Sequence, residues 1–381
     1  MKGALRMAVD LKKMPKLGFG LMRLPVKDGK PDLERVCEMA DAYMAAGMNY
    51  FDTAYVYHGG QSEVMVREAV VKRYPRDSFY VATKLPAWEL KKPEDRDRIF
   101  EEQLTRTGAG YFDFYLLHSV EDGNGRIYDS MDCWKWALEQ KAKGLIRHFG
   151  FSFHGSPAYL RQLLDAHPEV EFVQIQLNYL DWNSPTVCSG ELYSILSERN
   201  IPMVIMEPVK GGTLAAIQDD LEAKFRAVRP QASIASWALR YVGTLPGVMT
   251  ILSGMSTEEQ MQDNIGTFRN FEPLSAEEKA LVEEVRNRIL EVPQIGCTSC
   301  RYCVDGCPMK IAIPDVFRQV NAIRRFPKNT DRPRNAYNRM VADGKSGRAS
   351  ECIQCGQCEG VCPQHLPVIE LLQEAASMLD N

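Results

Sequence analysis

No apolar run in this sequence reaches the ~18 residues that a membrane-spanning helix requires. An excess of one charge sign is also missing. Lys and Arg number 46 against 50 Asp and Glu, a net charge of -4. That gives no global case for nucleic acid or an anionic membrane surface as a partner. Met1 to Lys16 mixes Lys, Arg and Asp with apolar residues and has no signal-peptide core, so a cytoplasmic location is the default expectation. There is no G-x-G-x-x-G turn: Gly18 and Gly20 lie inside the first apolar run with the wrong spacing, which counts against a doubly wound open sheet. Cysteines are scarce until residue 296. Eight of the 11 fall after it, and clustering of this kind suggests metal ligation rather than disulfides.

The remaining composition, 45% hydrophobic and 25% charged over 381 residues, is ordinary for a globular chain with one large and one smaller domain. Short β-rich runs occur at 17–21, 49–53, 79–83, 112–117, 146–152, 172–177, 203–207 and 248–253. Each precedes a helix-like segment, at 31–46, 61–73, 93–107, 130–143, 157–166, 189–199, 230–242 and 257–268. Start signals stand at Pro31-Asp32, Pro93-Glu94 and Ser156-Pro157. Eight such units in about 250 residues predict an α/β fold, a (β/α)8 barrel. A further helix at 275–290, capped by Ser275, closes it. Composition changes at Pro293, so the expected domains are 1–291 and 292–381.

Three successive strand-like runs bring Asp52, Lys84 and His118 to their C-terminal ends, with Tyr57 five residues beyond Asp52. In a parallel barrel those ends share the face that carries chemistry. Phe51-Asp52-Thr53-Ala54 with Tyr57, Lys84 and His118 resembles the aldo-keto reductases, over about Leu17 to Phe268. The resemblance implies NAD(P)-dependent interconversion of a carbonyl and an alcohol, with Tyr57 as general acid and Asp52, Lys84 and His118 in support. Lys84 is expected to lower the phenol pKa, and Asp52 to keep Lys84 charged. A neutral His118 is expected to donate to the carbonyl oxygen.

The same resemblance implies a nucleotide site. Ser152 and Gln174 match positions that hold the nicotinamide carboxamide, although Phe153 stands where the family usually has Asn. Met206, Pro208, Val209, Lys210, Gly211 and Gly212 form a pyrophosphate cradle after the seventh strand. Ser253, Gly254, Met255, Gln260 and Asn264 belong to the adenosine end. Gly254 and Gln260 occupy places where NADPH-using members often carry Lys and Arg, which leaves both NADP and NAD open. Tyr55, Trp88, Tyr179 and Trp182 are candidates for the substrate wall or for rim packing.

The tail carries Cys297-x2-Cys300-x2-Cys303-x3-Cys307-Pro308 and Cys352-x2-Cys355-x2-Cys358-x3-Cys362-Pro363. Two C-x2-C-x2-C-x3-C-P runs are the bacterial ferredoxin signature for two [4Fe–4S] clusters, the fourth Cys of each run serving the other cluster. Cys362 is then expected with Cys297, Cys300 and Cys303, and Cys307 with Cys352, Cys355 and Cys358. Paired zinc sites explain neither the third Cys nor the Cys-Pro pairs. Between the runs, residues 318–348 hold nine Lys or Arg against two Asp. This basic insert is either a solvated helical face or a dock for an acidic electron-carrier protein. The expected whole is a barrel oxidoreductase with a small α-rich ferredoxin-like domain for electron relay or structure. The competing expectation is a redox-sensing, nucleotide-binding regulatory subunit with little turnover.

Overall fold

Eight short parallel strands close into a barrel because their alternate residues are apolar on both faces. The computed structural model describes residues 10–380, so Met1 to Val9 of the N-terminal reading lie outside the described residues. The strands are β1 (Leu17–Gly20), β4 (Tyr50–Asp52), β5 (Tyr80–Pro86), β6 (Phe112–Val120), β7 (Ile146–Phe153), β8 (Phe172–Gln176), β9 (Met203–Met206) and β10 (Val248–Ser253). A small antiparallel hairpin, β2 (Val26–Lys27) and β3 (Lys30–Pro31), stands apart from them. Strand β1 pairs with both β4 and β10, which completes the ring. Tyr50, Ala82, Phe114, Leu116, Phe172, Val204 and Leu252 form one buried cluster in its interior. The intervening Phe51, Val81, Tyr115 and Leu117 pack outward with the helices. At Gly150 a Cβ would lie 2.2 Å from the Phe172 carbonyl oxygen, so only glycine lets β7 and β8 approach there.

The helices before β10 are α1 (Leu33–Ala45), α2 (Gln61–Val66), α3 (Glu94–Thr107), α4 (Gly125–Ser130), α5 (Cys133–Ala142), α6 (Pro157–Ala166), α7 (Ser189–Glu198), α8 (Asp219–Val228) and α9 (Ile234–Gly243). After it come α10 (Glu258–Arg269) and α11 (Ala276–Glu291). Asp32 caps α1 through the Arg35 N–H, and Ser156 caps α6 through the Tyr159 N–H. Ser275 and Glu278 cap α11 reciprocally, and Glu278 also takes a bidentate bond from buried Arg240 at 2.8 and 3.0 Å. The helix expected over 130–143 is α5, which starts only at Cys133, after left-handed Asp132; α4, over Gly125–Ser130, precedes it and was not expected.

Two compact units make up the chain: residues through 211 with 235–279, and residues 212–234 with 280–381. The second unit therefore contains α8, a helix absent from the sequence reading. It also contains α12 (Tyr302–Asp305), α13 (Ile313–Arg325), α14 (Asp331–Ala342), α15 (Gln357–Gly360) and α16 (Val368–Leu379). Its core joins Val316, Phe317 and Val320 of α13 to Val368, Leu372 and Ala375 of α16, with Tyr337 of α14. The basic insert expected over 318–348 thus forms most of α13 and all of α14. Six of its nine cations meet partners within this unit. Arg318 pairs with Asp315, Arg324 with Glu374, Lys328 with Asp219 and Glu222, Lys345 with Asp343, and Arg348 with Asp380. Arg334 donates to the Met378 carbonyl.

Candidate active site and cysteine centres

Register brings the expected catalytic residues together. Asp52 lies beside Ala82, and Lys84 is two residues further along β5, on the same face. Lys84 Nζ donates to Asp52 Oδ1 at 2.6 Å and to the Thr53 carbonyl at 2.7 Å. Both side chains are out of solvent, at 0% and 3% exposure. Strands β5 and β6 run past the expected ends, so Lys84 and His118 lie within the strands, each two residues short of its terminus. Tyr57 opens the turn after β4, where His58, Gly59 and Gly60 all take left-handed backbone. Its ring centroid is 5.0 Å from Lys84 Nζ and 5.9 Å from the His118 ring, edge to face.

Burial alone would push the Lys84 ammonium down, but Asp52 and then Tyr57 outweigh it, and the net direction is up. Burial pushes the Asp52 carboxyl up while Lys84 pulls against it. The Tyr57 phenol also moves up: desolvation is the larger effect, and Lys84 offsets only part of it. The expectation of a net acidified phenol is thus corrected, although Lys84 does pull in the expected direction. Burial first, then Lys84 and His154, hold His118 well below its ordinary value. Its imidazole is neutral at pH 7 and able to donate. Trp88, half exposed at 50%, packs at a tilt against the His118 ring, with centroids 5.2 Å apart. The other aromatic candidates pack elsewhere. Tyr55 donates to Glu102, Tyr179 is buried against Tyr241, and Trp182 packs on Tyr193. His154, exposed just past the end of β7, is electrically coupled to His118.

Ser152 and Gln174 sit side by side on β7 and β8, and both are buried. Ser152 Oγ accepts from the Ser119 N–H at 2.7 Å, which leaves its own proton to donate. Gln174 Nε2 contacts Met206 Sδ at 3.4 Å, while Gln174 Oε1 is buried without a protein partner. A carboxamide N–H would satisfy that oxygen, so these residues fit a nicotinamide. The loop beyond Met206 passes buried Pro208 and half-buried Val209 into left-handed Lys210, Gly211 and Gly212. Lys210 Nζ, however, grips both oxygens of Asp181 at 2.6 and 2.8 Å. Asn178 ties Asp181 to the Glu207 carbonyl. Lys210 thus fastens the loop in this structure. At the far end Asn264 donates to Ser253 Oγ at 2.8 Å, Gln260 accepts from the Ser256 N–H, and Met255 is buried. Gly254 is exposed, with the Arg23 stem 3.1 Å from where its Cβ would be.

The tail cysteines are free thiols that gather around two cavities. One is lined by Cys297, Cys300, Cys303 and Cys362, the other by Cys307, Cys352, Cys355 and Cys358. Ile313 lines both. The Ile311 N–H points at Cys307 Sγ, 3.4 Å away. Among the described residues, no three His, Cys, Asp or Glu side chains converge on a single metal ion. Four soft thiols around each of two cavities fit iron–sulfur clusters in donor number and type.

A closed parallel barrel with Lys, Asp, Tyr and His at its C-terminal rim defines an oxidoreductase class, and sequence comparison agrees. Residues 16–287 match the aldo/keto reductase family, and the chain belongs to it. Residues 296–366 match a 4Fe-4S dicluster domain. An uncharacterized oxidoreductase of Bacillus subtilis is 26% identical over 72% of this chain and 93% of its own. An NADH-specific methylglyoxal reductase of Escherichia coli is 26% identical over 58% of this chain and 78% of its own. A Klebsiella pneumoniae aldo/keto reductase, solved with NADP and acetate, superposes with a TM-score of 0.59 at 20% identity, covering 72% of this chain and 92% of that one. The holo form of a Bacillus halodurans aldo-keto reductase gives 0.58 at 23% identity, covering 71% and 91%. These two structures speak for the fold.

Proposed function

We propose that the barrel reduces an aldehyde or ketone, or oxidises the matching alcohol, with NADH or NADPH, and that the tail holds two [4Fe–4S] clusters. The observation that carries the first part is the buried Lys84–Asp52 pair beneath the Tyr57 ring, beside a neutral His118. When bound, the nicotinamide supplies the hydride. Tyr57 supplies the proton to the carbonyl oxygen. Its raised pKa keeps the phenol protonated across the physiological range, the form a donor needs. Lys84, held charged by Asp52, stabilises the phenolate left behind. His118 orients the substrate oxygen by donating to it, and Trp88 shields that oxygen on the open side. Ser152 and Gln174 hold the carboxamide. The cradle at Met206, Pro208, Val209 and Lys210 through Gly212 faces the phosphates, and Ser253 to Asn264 face the adenosine.

Crossed quartets of thiols support a cluster at each cavity. A single zinc ion wants four sulfurs at ~2.3 Å from one point, whereas a four-iron cluster seats each thiolate on its own iron. The cations of the basic insert are largely engaged within their own unit, which favours a structural insert over a dock for an acidic carrier. The deciding experiment is anaerobic purification, iron and sulfide analysis, and turnover of an aldehyde and ketone panel with each nucleotide. Nucleotide oxidation that depends on a carbonyl supports the reading. Tight nucleotide binding without turnover on any carbonyl or alcohol sinks it in favour of a redox sensor. Discrimination between NADPH and NADH is expected below about 10³-fold, because Gly254 and Gln260 offer no cation to a 2′-phosphate.

A further inference from the structure

Helix α13 begins at the cysteine cavities and ends against the segment that follows the nucleotide cradle. At its start, Ile313 lines both cavities and Pro314 and Phe317 line that of Cys297. Its 13 residues span roughly 20 Å at 1.5 Å each. At its end the Arg325 carbonyl accepts from Gln218 Nε2 at 2.8 Å. Lys328 then bridges Asp219 at 2.6 Å and Glu222 at 2.9 Å. Asn329 Nδ2 donates to the Thr213 carbonyl at 3.3 Å and the Ala216 carbonyl at 2.8 Å.

Those two carbonyls bracket one short 3-10 turn, Thr213–Ala215, which directly follows Gly211 and Gly212. The two glycines, at φ 63° and 93°, are the most permissive part of the cradle. A turn of three residues does not fix itself, because one or two backbone bonds do not offset the entropy of ordering it. Asn329 holds both of its ends. Whatever orders α13 therefore orders the exit of the cradle.

We propose that Asn329 is a positioning residue for the nucleotide loop, and that through α13 cluster occupancy and nucleotide binding favour each other. The proposal rests on the nucleotide and cluster sites argued above. Coupling of this kind is reciprocal, so nucleotide must protect the clusters as much as the clusters strengthen nucleotide binding.

The test uses the full chain, prepared without oxygen. NADH and NADPH are titrated by fluorescence into wild type and Asn329→Asp, which keeps the shape and removes the amide donor. The variant is expected to bind nucleotide about 5-fold or more weakly. KM for nucleotide should rise while kcat at saturation and iron content stay unchanged. On exposure to air, nucleotide should slow the loss of cluster absorbance in wild type, and this protection should shrink in the variant. Should Asn329→Asp fail to fold, Gln218→Met, which cuts the bond to the end of α13, reports on the same link. Unchanged affinity in a folded variant, or bleaching that ignores nucleotide in wild type, overturns the proposal. Wild type that holds no iron or binds neither nucleotide overturns instead the sites on which it rests.

Discussion

Cys307 and Cys362 stand on each other's cavities: the last cysteine of each motif lines the space enclosed by the first three of the other. The exchange requires the two halves of the tail to fold together across α13 and α14. It also gives each ligand a distinct spectroscopic consequence. Cys362→Ala should disturb the cluster on Cys297, Cys300 and Cys303, and Cys307→Ala the one on Cys352, Cys355 and Cys358. Iron should fall from close to eight per chain in either variant. Two electron-paramagnetic signals in the reduced wild type, altered one at a time, would establish the crossing. Loss of the cluster nearest in sequence would refute it.

Tyr57→Phe keeps the ring against His118 and removes the proton donor. Turnover should drop by about 10²–10⁴-fold while nucleotide affinity holds. Steady-state rates beside a nucleotide titration check this, and wild-type turnover would exclude Tyr57 as the acid.

Lys84→Met removes the cation and leaves Asp52 buried with no partner for Oδ1. Breaking a buried pair in this way costs about 3–5 kcal/mol, so the barrel should melt earlier as well as lose activity. Replacing both, as Lys84→Met with Asp52→Leu, should recover much of the stability and none of the turnover. Calorimetry on the single and double variants separates the two effects.

Glu171 offers a pH test away from chemistry. Burial would push its carboxyl up, but His148, Lys141 and the Phe149 N–H together bring it down to about 2. A folded value below the ordinary ~4.3 contributes stability above that pH, lost as pH falls from there toward 2. With partial exposure the contribution is about 1–2 kcal/mol. Glu171→Gln should therefore be less stable than wild type at pH 7 and nearly equal to it at pH 2.5, by denaturant titration at both.

Local signals carried the barrel. Ser156 before Pro157 fixes one end of α6 through a hydrogen bond to Tyr159 N, and that helix matches the sequence reading at both ends. The later start of α5 was hidden because a left-handed residue at Asp132 leaves the pattern of the helix that follows it intact. Helix α8 was passed over although Asp219 and Asp220 mark an acidic first turn, since one helix per strand already filled the pattern. That Asp52, Tyr57, Lys84 and His118 would come together was legible through strand ends and family spacing. The grip of Lys210 on Asp181 was not, because the partners are 29 residues apart and meet only through the fold. The direction of the Tyr57 pKa was hidden for a related reason: charge is written in the sequence, whereas desolvation depends on everything packed around the ring.

Segment 212–234 precedes β10 in the chain, yet it belongs with residues made more than a hundred positions later. A ribosome therefore releases α8 long before Lys328 and Asn329 exist to hold it. In the interval Leu214, Ile217, Leu221 and Phe225, all buried in the finished protein, lack part of their final surroundings. A nascent chain in that state is a natural client for chaperones. A gene cut after the barrel's last helix makes the interval permanent.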